Sequence, residues 1–320
     1  MRLAIVGTGA VGASVAELAA EYGHTVTALA DSRSAVTDAA GIDVESALAR
    51  KRDEGRVGSG DPEDALNGAY DCLVEATPTT LGDARPAYDH VRAAFERDRD
   101  VVLANKGPVA ERYADVRALE RESEGRLRFE ATVGGAMPVL STIEDCGPAH
   151  VTGIRGVLNG TANFVLSRMA VEGLDYEHVL AEAQDLGVAE ADPSFDVEGT
   201  DAALKCVIVA NVLARGEREY TLADADVEGI VDVSSNALRL ASGDGRTVRL
   251  IGEVVDGSVR VAPRTVPTNS PLAVSGTENV VQIGTTDAGR LNVSGRGTGG
   301  PETASAVLAD VRRLESTARD

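Results

Sequence analysis

The chain has no tryptophan and, in 320 residues, only three cysteines, three lysines, three methionines and four histidines. Each scarcity excludes something. Cys72, Cys146 and Cys206 form an odd and widely spaced set, which excludes a disulfide framework or a zinc site and reads as reduced thiols in a cytoplasm. His24, His90, His150 and His178 are scattered, so no metal is assigned to them. No stretch reaches 18 apolar residues and the opening MRLAIVGTGAVG lacks a signal-peptide layout, so neither a membrane-spanning nor an exported protein is expected. Basic residues are also short, with 31 Lys and Arg against 51 Asp and Glu, a formal net charge of −20. Such a field repels phosphate backbones and anionic lipid, so the expected partner is a small molecule, not nucleic acid or a membrane surface. Because 28 of the 31 basic residues are arginine, the composition is the acidic, lysine-poor one that a salt-rich cytoplasm selects.

What is present suffices for a sizeable core. At roughly 150 residues per domain, the length indicates two domains or one large one, and the 43% hydrophobic content fills a sizeable core. The first third alternates short β-branched runs with amphipathic stretches: strands at 3–7, 25–30, 71–76, 100–105 and 127–131, and helices over 10–22, 83–97 and 111–124. This predicts an α/β fold with a Rossmann-like, doubly wound parallel sheet over residues 1–131. After 131 the pattern changes to helices at 161–172, 175–185 and 199–214, then strands at 247–255, 258–266 and 278–285, which predicts a second, α+β domain over 132–299. Asp256-Gly257 between two of these strands is a type I′ hairpin turn. An amphipathic helix at 302–316 follows a Gly-rich stretch, within a final segment 300–320.

Gly7-Thr8-Gly9-Ala10-Val11-Gly12 lies between a buried strand and a helix, the context in which GxGxxG binds a dinucleotide pyrophosphate. Gly7 allows the tight turn, Gly9 the approach of backbone to phosphate and Gly12 close helix packing. Asp31, 19 residues after Gly12, is placed to grip the adenosine ribose of NAD. Arg33, with Arg50, Lys51 and Arg52, is instead suited to the 2′-phosphate of NADP, and the sequence leaves the choice open.

A chain that so strongly prefers arginine keeps lysine where arginine does not serve, since lysine can release its proton. Lys106 follows the strand at 100–105, at the carboxyl end of the sheet. Lys205 stands four residues after Asp201 on the helix 199–214. Spacing alone makes Asp201 and Lys205 a surface ion pair, but Glu190, Asp192, Asp196 and Glu198 crowd the loop before them, an arrangement suited to a substrate ammonium. Two Gly-containing segments, 129–140 and 158–169, offer backbone carbonyls for a monovalent cation and a helix N-terminus for a carboxylate, with an ordinary turn and simple capping by Asn159 as their plainer readings.

Together these segments resemble homoserine dehydrogenase over nearly the whole chain. The most specific part is 183–205, where Ala183, Gly187, Asp192-Pro193, Asp196, Gly199, Asp201 and Lys205 fit the family signature. ATPTT (76–80), ANKGPVA (104–110), VGGAMPVL (133–140), GVLNGTANFVLSRM (156–169) and GRGTGGPETASAV (295–307) stand beside it and the GxGxxG. The resemblance implies an NAD(P)-dependent enzyme that interconverts L-homoserine and L-aspartate 4-semialdehyde on the way to threonine and methionine. It implies Lys205 and Lys106 as catalytic lysines, and Glu190, Asp196 and Asp201 around the substrate. Thr77, Lys106 and Gly299 become cofactor contacts, with the terminal helix returning to the cofactor domain. Glu130 with the backbone of Val133, Gly135 and Met137 matches a sodium site, and the second domain is expected to build a homodimer. Many relatives append a regulatory domain, whereas this chain stops at Asp320, so feedback through an attached domain is not expected.

Overall fold

A computed structural model describes residues 1–316; residues 317–320, the end of the expected 300–320 segment, lie outside the described residues. The chain forms two compact units, Met1–Ala136 together with the stretch from Thr298 onward, and Met137–Gly297.

The first unit runs β1 (Arg2–Val6), α1 (Ala10–Leu18), β2 (Thr25–Ala30), β3 (Ala35–Thr37), α2 (Val44–Glu54), α3 (Pro62–Asn67), β4 (Cys72–Glu75), α4 (Ala87–Phe95), β5 (Asp100–Leu103), α5 (Gly107–Glu111), α6 (Tyr113–Arg121), β6 (Leu127–Arg128) and α7 (Ala131–Gly134). Its sheet has the order β3-β2-β1-β4-β5-β6, that of a dinucleotide-binding fold. Five strands are parallel, and β1, β4 and β5 are buried on both faces, which is why they read as apolar runs without alternation. The sixth, β3, pairs antiparallel with β2 and is too short for a period to register. The helix expected over 111–124 is α6, shorter at both ends, and Arg112, where φ is −136°, breaks it from the preceding α5. The strand expected over 127–131 stops at Arg128, because Glu130 N donates to the Asp310 carboxylate at 2.8 Å and not to a neighbouring strand.

The second unit runs α8 (Val139–Cys146), β7 (Val151–Val157), α9 (Gly160–Glu172), α10 (Tyr176–Asp185), α11 (Ser194–Val197), α12 (Thr200–Ala214), β8 (Ala225–Val227), α13 (Ser235–Gly243), β9 (Arg246–Val255), β10 (Ser258–Pro267), β11 (Glu278–Thr285) and β12 (Arg290–Arg296). Its sheet has the order β12-β11-β7-β9-β10-β8 and is antiparallel except for the β10–β8 edge. The β9–β10 turn has φ of +51° at Asp256 and +72° at Gly257, the expected primed hairpin. Strands β7, β8 and β12 and helix α13 were not legible. In β7 the reason is physical: glycine weakens a strand pattern, yet a Cβ at Gly156 would lie 2.6 Å from Val280 O and one at Gly153 2.7 Å from Val254 O. Helix α12 is buried at every residue from Asp201 to Asn211, so it is the core helix of this unit, buried on all faces.

The last helix, α14 (Gly300–Ser316), returns to the first unit. Its Val307, Leu308, Val311 and Leu314 share a core with Leu3, Ile5 and Val15. Asp310 on this helix is buried, and burial pushes its carboxyl up to about 6 although Glu130 N and Arg313 donate to it. A carboxyl whose folded value exceeds its unfolded one opposes folding once ionised, so its penalty is absent below about pH 4 and complete above about pH 6. Asp310→Asn removes that titration. Its stability relative to wild type, from urea unfolding at a series of pH values, is expected to rise by up to about 3 kcal/mol between pH 4 and 7. A difference that does not change with pH would contradict it.

Candidate active site

In the first unit, β1 ends on a turn shaped by the absence of side chains. Gly7 has φ +102°, and a Cβ there would lie 2.4 Å from the Ala76 carbonyl, while one at Gly12 would lie 1.8 Å from Gly7 O. Gly9, by contrast, faces open space, and it caps α1 without any side-chain hydrogen bond. The amides at the start of α1, on Ala10 and Val11, therefore face an uncrowded surface, with the buried Thr8 hydroxyl beside them lacking a partner. Such a cradle fits a pyrophosphate. Gly299, with φ +121°, leads into Gly300, where a Cβ would lie 2.8 Å from Ala10 O. The Gly-rich turn expected at the cofactor is thus brought onto the first turn of α1.

Asp31 follows β2 and is fully engaged. One oxygen accepts from Arg33 N and Ser34 N at 2.8 Å and from Ser34 Oγ at 3.1 Å, and the other accepts from Lys51 Nζ at 2.6 Å. Burial raises this carboxyl, but the hydrogen bonds from Lys51, Arg33 and Ser34 outweigh it and hold the group below the usual aspartate value. The Arg33 side chain is exposed. Lys106 caps α5, and its backbone N donates to Thr79 Oγ1 at 3.3 Å, tying it to the 76–80 turn that carries Thr77. Glu130 is buried; it precedes α7, whose Val133 leads into Gly135 at φ +56°, and Met137 opens the second unit.

In the second unit, three elements converge on one polar cluster. Lys205 Nζ, buried on α12, donates to Asp201 Oδ2 at 2.7 Å and to Leu158 O at 2.6 Å. Asn159 caps α9 by accepting from Ala162 N, and its amide donates to Asp201 Oδ2 at 2.9 Å and to Asp196 Oδ1 at 2.6 Å. Lys205, Asp201 and Asp196 are thereby brought together, and the pair that spacing alone placed on a surface is interior. Glu190 is exposed on the loop before α11, with its backbone O accepting from Gln184. Capping by Asn159 is real, and the bridge to two carboxylates is what sequence reasoning missed. It also missed Glu75, His90 and Asn105; the one available signal was an acidic residue closing the buried run CLVE.

Comparison with known proteins gives the same direction in both units. The family model described as "Homoserine dehydrogenase" matches residues 138–311, more than half the chain, and the model for Glutamate/Leucine/Phenylalanine/Valine dehydrogenase matches residues 1–74. A Methanocaldococcus jannaschii homoserine dehydrogenase is 38% identical, with all of each chain covered. A Pseudomonas canavaninivorans NAD(+)-dependent homoserine dehydrogenase is 35% identical over 99% of this chain and 97% of the relative. A hyperthermophilic archaeal homoserine dehydrogenase solved in complex with NADPH superposes with a TM-score of 0.85 at 27% identity, covering 99% of this chain and 98% of the other.

The buried pair has a measurable consequence. Removing one partner leaves the other charge uncompensated, so Asp201→Asn is expected to lower the unfolding free energy by about 3 kcal/mol or more. Lys205→Met in the same background is expected to recover most of that loss. Urea titrations of the single and double variants check both; a single variant as stable as wild type would contradict the pairing.

Proposed function

The chain belongs to the homoserine dehydrogenase family, and from that premise we propose which residues carry its NAD(P)-dependent interconversion of L-homoserine and L-aspartate 4-semialdehyde. The single observation that carries the assignment is the interior Lys205 ammonium, held by Asp201 and the Leu158 carbonyl. An ammonium has three protons, and these two acceptors leave one for the substrate oxygen. During aldehyde reduction Lys205 donates that proton to the oxygen becoming a hydroxyl; in alcohol oxidation it takes the proton back. Asp201 and Asn159 orient the ammonium, while Asp196 and Glu190 bind the substrate amine through charge-assisted hydrogen bonds. Lys106, in the first unit, keeps the catalytic role that the resemblance implies.

Gly7, Gly9, Ala10, Val11, Gly12, Thr77 and Gly299 would hold the dinucleotide, which when bound supplies or accepts the hydride. Both oxygens of Asp31 are occupied and its charge is offset by Lys51. This supports a site in which Arg33 and Lys51 receive a 2′-phosphate, so that NADP is favoured and NAD accepted. Glu130 with Val133, Gly135 and Met137 keeps the sodium role that the resemblance implies. The homodimer rests on the same resemblance and on the second sheet ending at β12, an edge strand without a buried residue. The charge of −20 supports adaptation to high salt, and among the described residues no helix is long and apolar enough to cross a membrane.

Initial rates test the assignment. L-homoserine with NADP+ should turn over in molar KCl, whereas 4-hydroxybutyrate, which lacks the amine, should lose about a hundredfold or more in kcat/KM. Equal rates would remove Asp196 and Glu190 from substrate recognition. Lys51→Ala is expected to lower kcat/KM for NADPH by about tenfold while leaving NADH unchanged or improved. A parallel loss with both cofactors would contradict the 2′-phosphate assignment.

A further inference from the structure

A chain of hydrogen bonds with a fixed direction crosses the carboxyl ends of β4 and β5. Gly107 N, which can only donate, bonds Asn105 Oδ1 at 2.9 Å. That sets the amide of the buried Asn105, so its NH2 faces Pro78 O at 3.0 Å and Thr77 Oγ1 at 3.1 Å. Thr77 Oγ1 therefore accepts from Asn105, and its single proton goes to Glu75 Oε1, which also accepts from Thr77 N at 2.9 Å. Glu75 is wholly buried at the end of β4, and its other oxygen faces His90 Nδ1, on α4, at 2.6 Å. With Glu75 as a carboxylate, which only accepts, Nδ1 is the donor. The obligate donor Gly107 N at one end and the Glu75 carboxylate at the other give the network one direction.

The consequence falls on Thr77. Its proton is spent on Glu75 and one lone pair on Asn105, so the hydroxyl can offer a ligand only its remaining lone pair. The turn that carries it lies against the glycine cradle, as the closeness of Ala76 to Gly7 requires. Ligands of such sheets bind at this end.

We propose that Glu75 and His90 are positioning residues that hold the Thr77 hydroxyl as an acceptor, so that this site reads the carboxamide NH2 of the cofactor's reactive ring. The proposal rests on Thr77 being the contact to that ring. It gives His90 and Glu75 a role in recognition without touching the ligand: His90 occupies Oε2 with a donor, and Glu75 occupies the threonine proton.

The test uses calorimetric binding of NADP+ and of its analogues whose carboxamide is replaced by a carboxylate or by an acetyl group, neither of which has a proton to give. The readout is the ratio of dissociation constants, which a general loss of affinity does not move. Wild type is expected to prefer the amide by about tenfold or more over both analogues. Glu75→Gln should keep that ratio within about threefold, because its carbonyl can still accept from Thr77 while its NH2 donates to the other His90 tautomer. Glu75→Leu frees the Thr77 proton to point outward, and His90→Leu frees the carboxylate to turn. In both, the preference should shrink to about threefold or less. If Glu75→Leu does not fold, His90→Leu carries the test. A leucine variant with the wild-type ratio would overturn the positioning role. A wild type indifferent to the carboxamide would overturn the earlier step, the contact of Thr77 with the ring.

Discussion

An ammonium and a carboxylate one turn apart inside a buried helix persist only if the polar groups around them are also satisfied, because each bare charge there costs several kcal/mol. That constraint organises the second unit. The Leu158 carbonyl, just beyond β7, takes one proton of Lys205, and Asn159 next to it holds Asp201 while capping α9. The same amide reaches Asp196 on α11, so one side chain ties a strand end, a helix start and the acidic loop together. Helix α12 can approach the sheet this closely because β9 has no side chain at the contact. A Cβ at Gly252 would lie 2.5 Å from Cys206 Sγ and 3.0 Å from Leu158 Cδ1. Burial in this position also pushes the Cys206 thiol up to about 12, so it stays an inert neighbour of Lys205.

The first unit solves a different problem by the same means. A dinucleotide needs bare backbone at its phosphates and oriented polar groups at its adenosine ribose and its reactive ring. Gly7 and Gly12 remove side chains where the β1–α1 turn meets itself and Ala76, and α14 closes over the start of α1 through Gly300. The polar groups are then oriented from strand ends, Asp31 after β2, Glu75 at the end of β4 and Asn105 after β5. Backbone amides of Arg33, Thr77 and Gly107 fix each of these three side chains. Loop residues are thus held by the most rigid parts of the sheet, which gives a binding site definition without a rigid loop.

Much of this was legible before any coordinates. The GxGxxG between a strand and a helix, the type I′ turn at Asp256-Gly257 and the rarity of lysine pointed to the fold and to Lys106 and Lys205. What stayed hidden has identifiable causes. Three-residue strands such as β3 and β8 carry no period. In β7, Gly153 and Gly156 are demanded by neighbouring backbone, and glycine in a sequence speaks against a strand. Spacing of four residues says that Asp201 and Lys205 share a helix face but not whether that face is buried. Glu75 and His90 are fifteen residues apart with a turn and a helix start between them, and only the packing of α4 on β4 brings them together.

The most direct measurement is the initial rate of NADPH oxidation with L-aspartate 4-semialdehyde in molar KCl, for wild type and for Lys205→Ala, with circular dichroism of both. If Lys205 supplies the proton, wild type turns over and the variant, still folded, loses about a hundredfold or more in kcat. A folded Lys205→Ala protein with undiminished kcat would remove Lys205 from the proton path. A wild type without turnover under either cofactor would remove the activity itself.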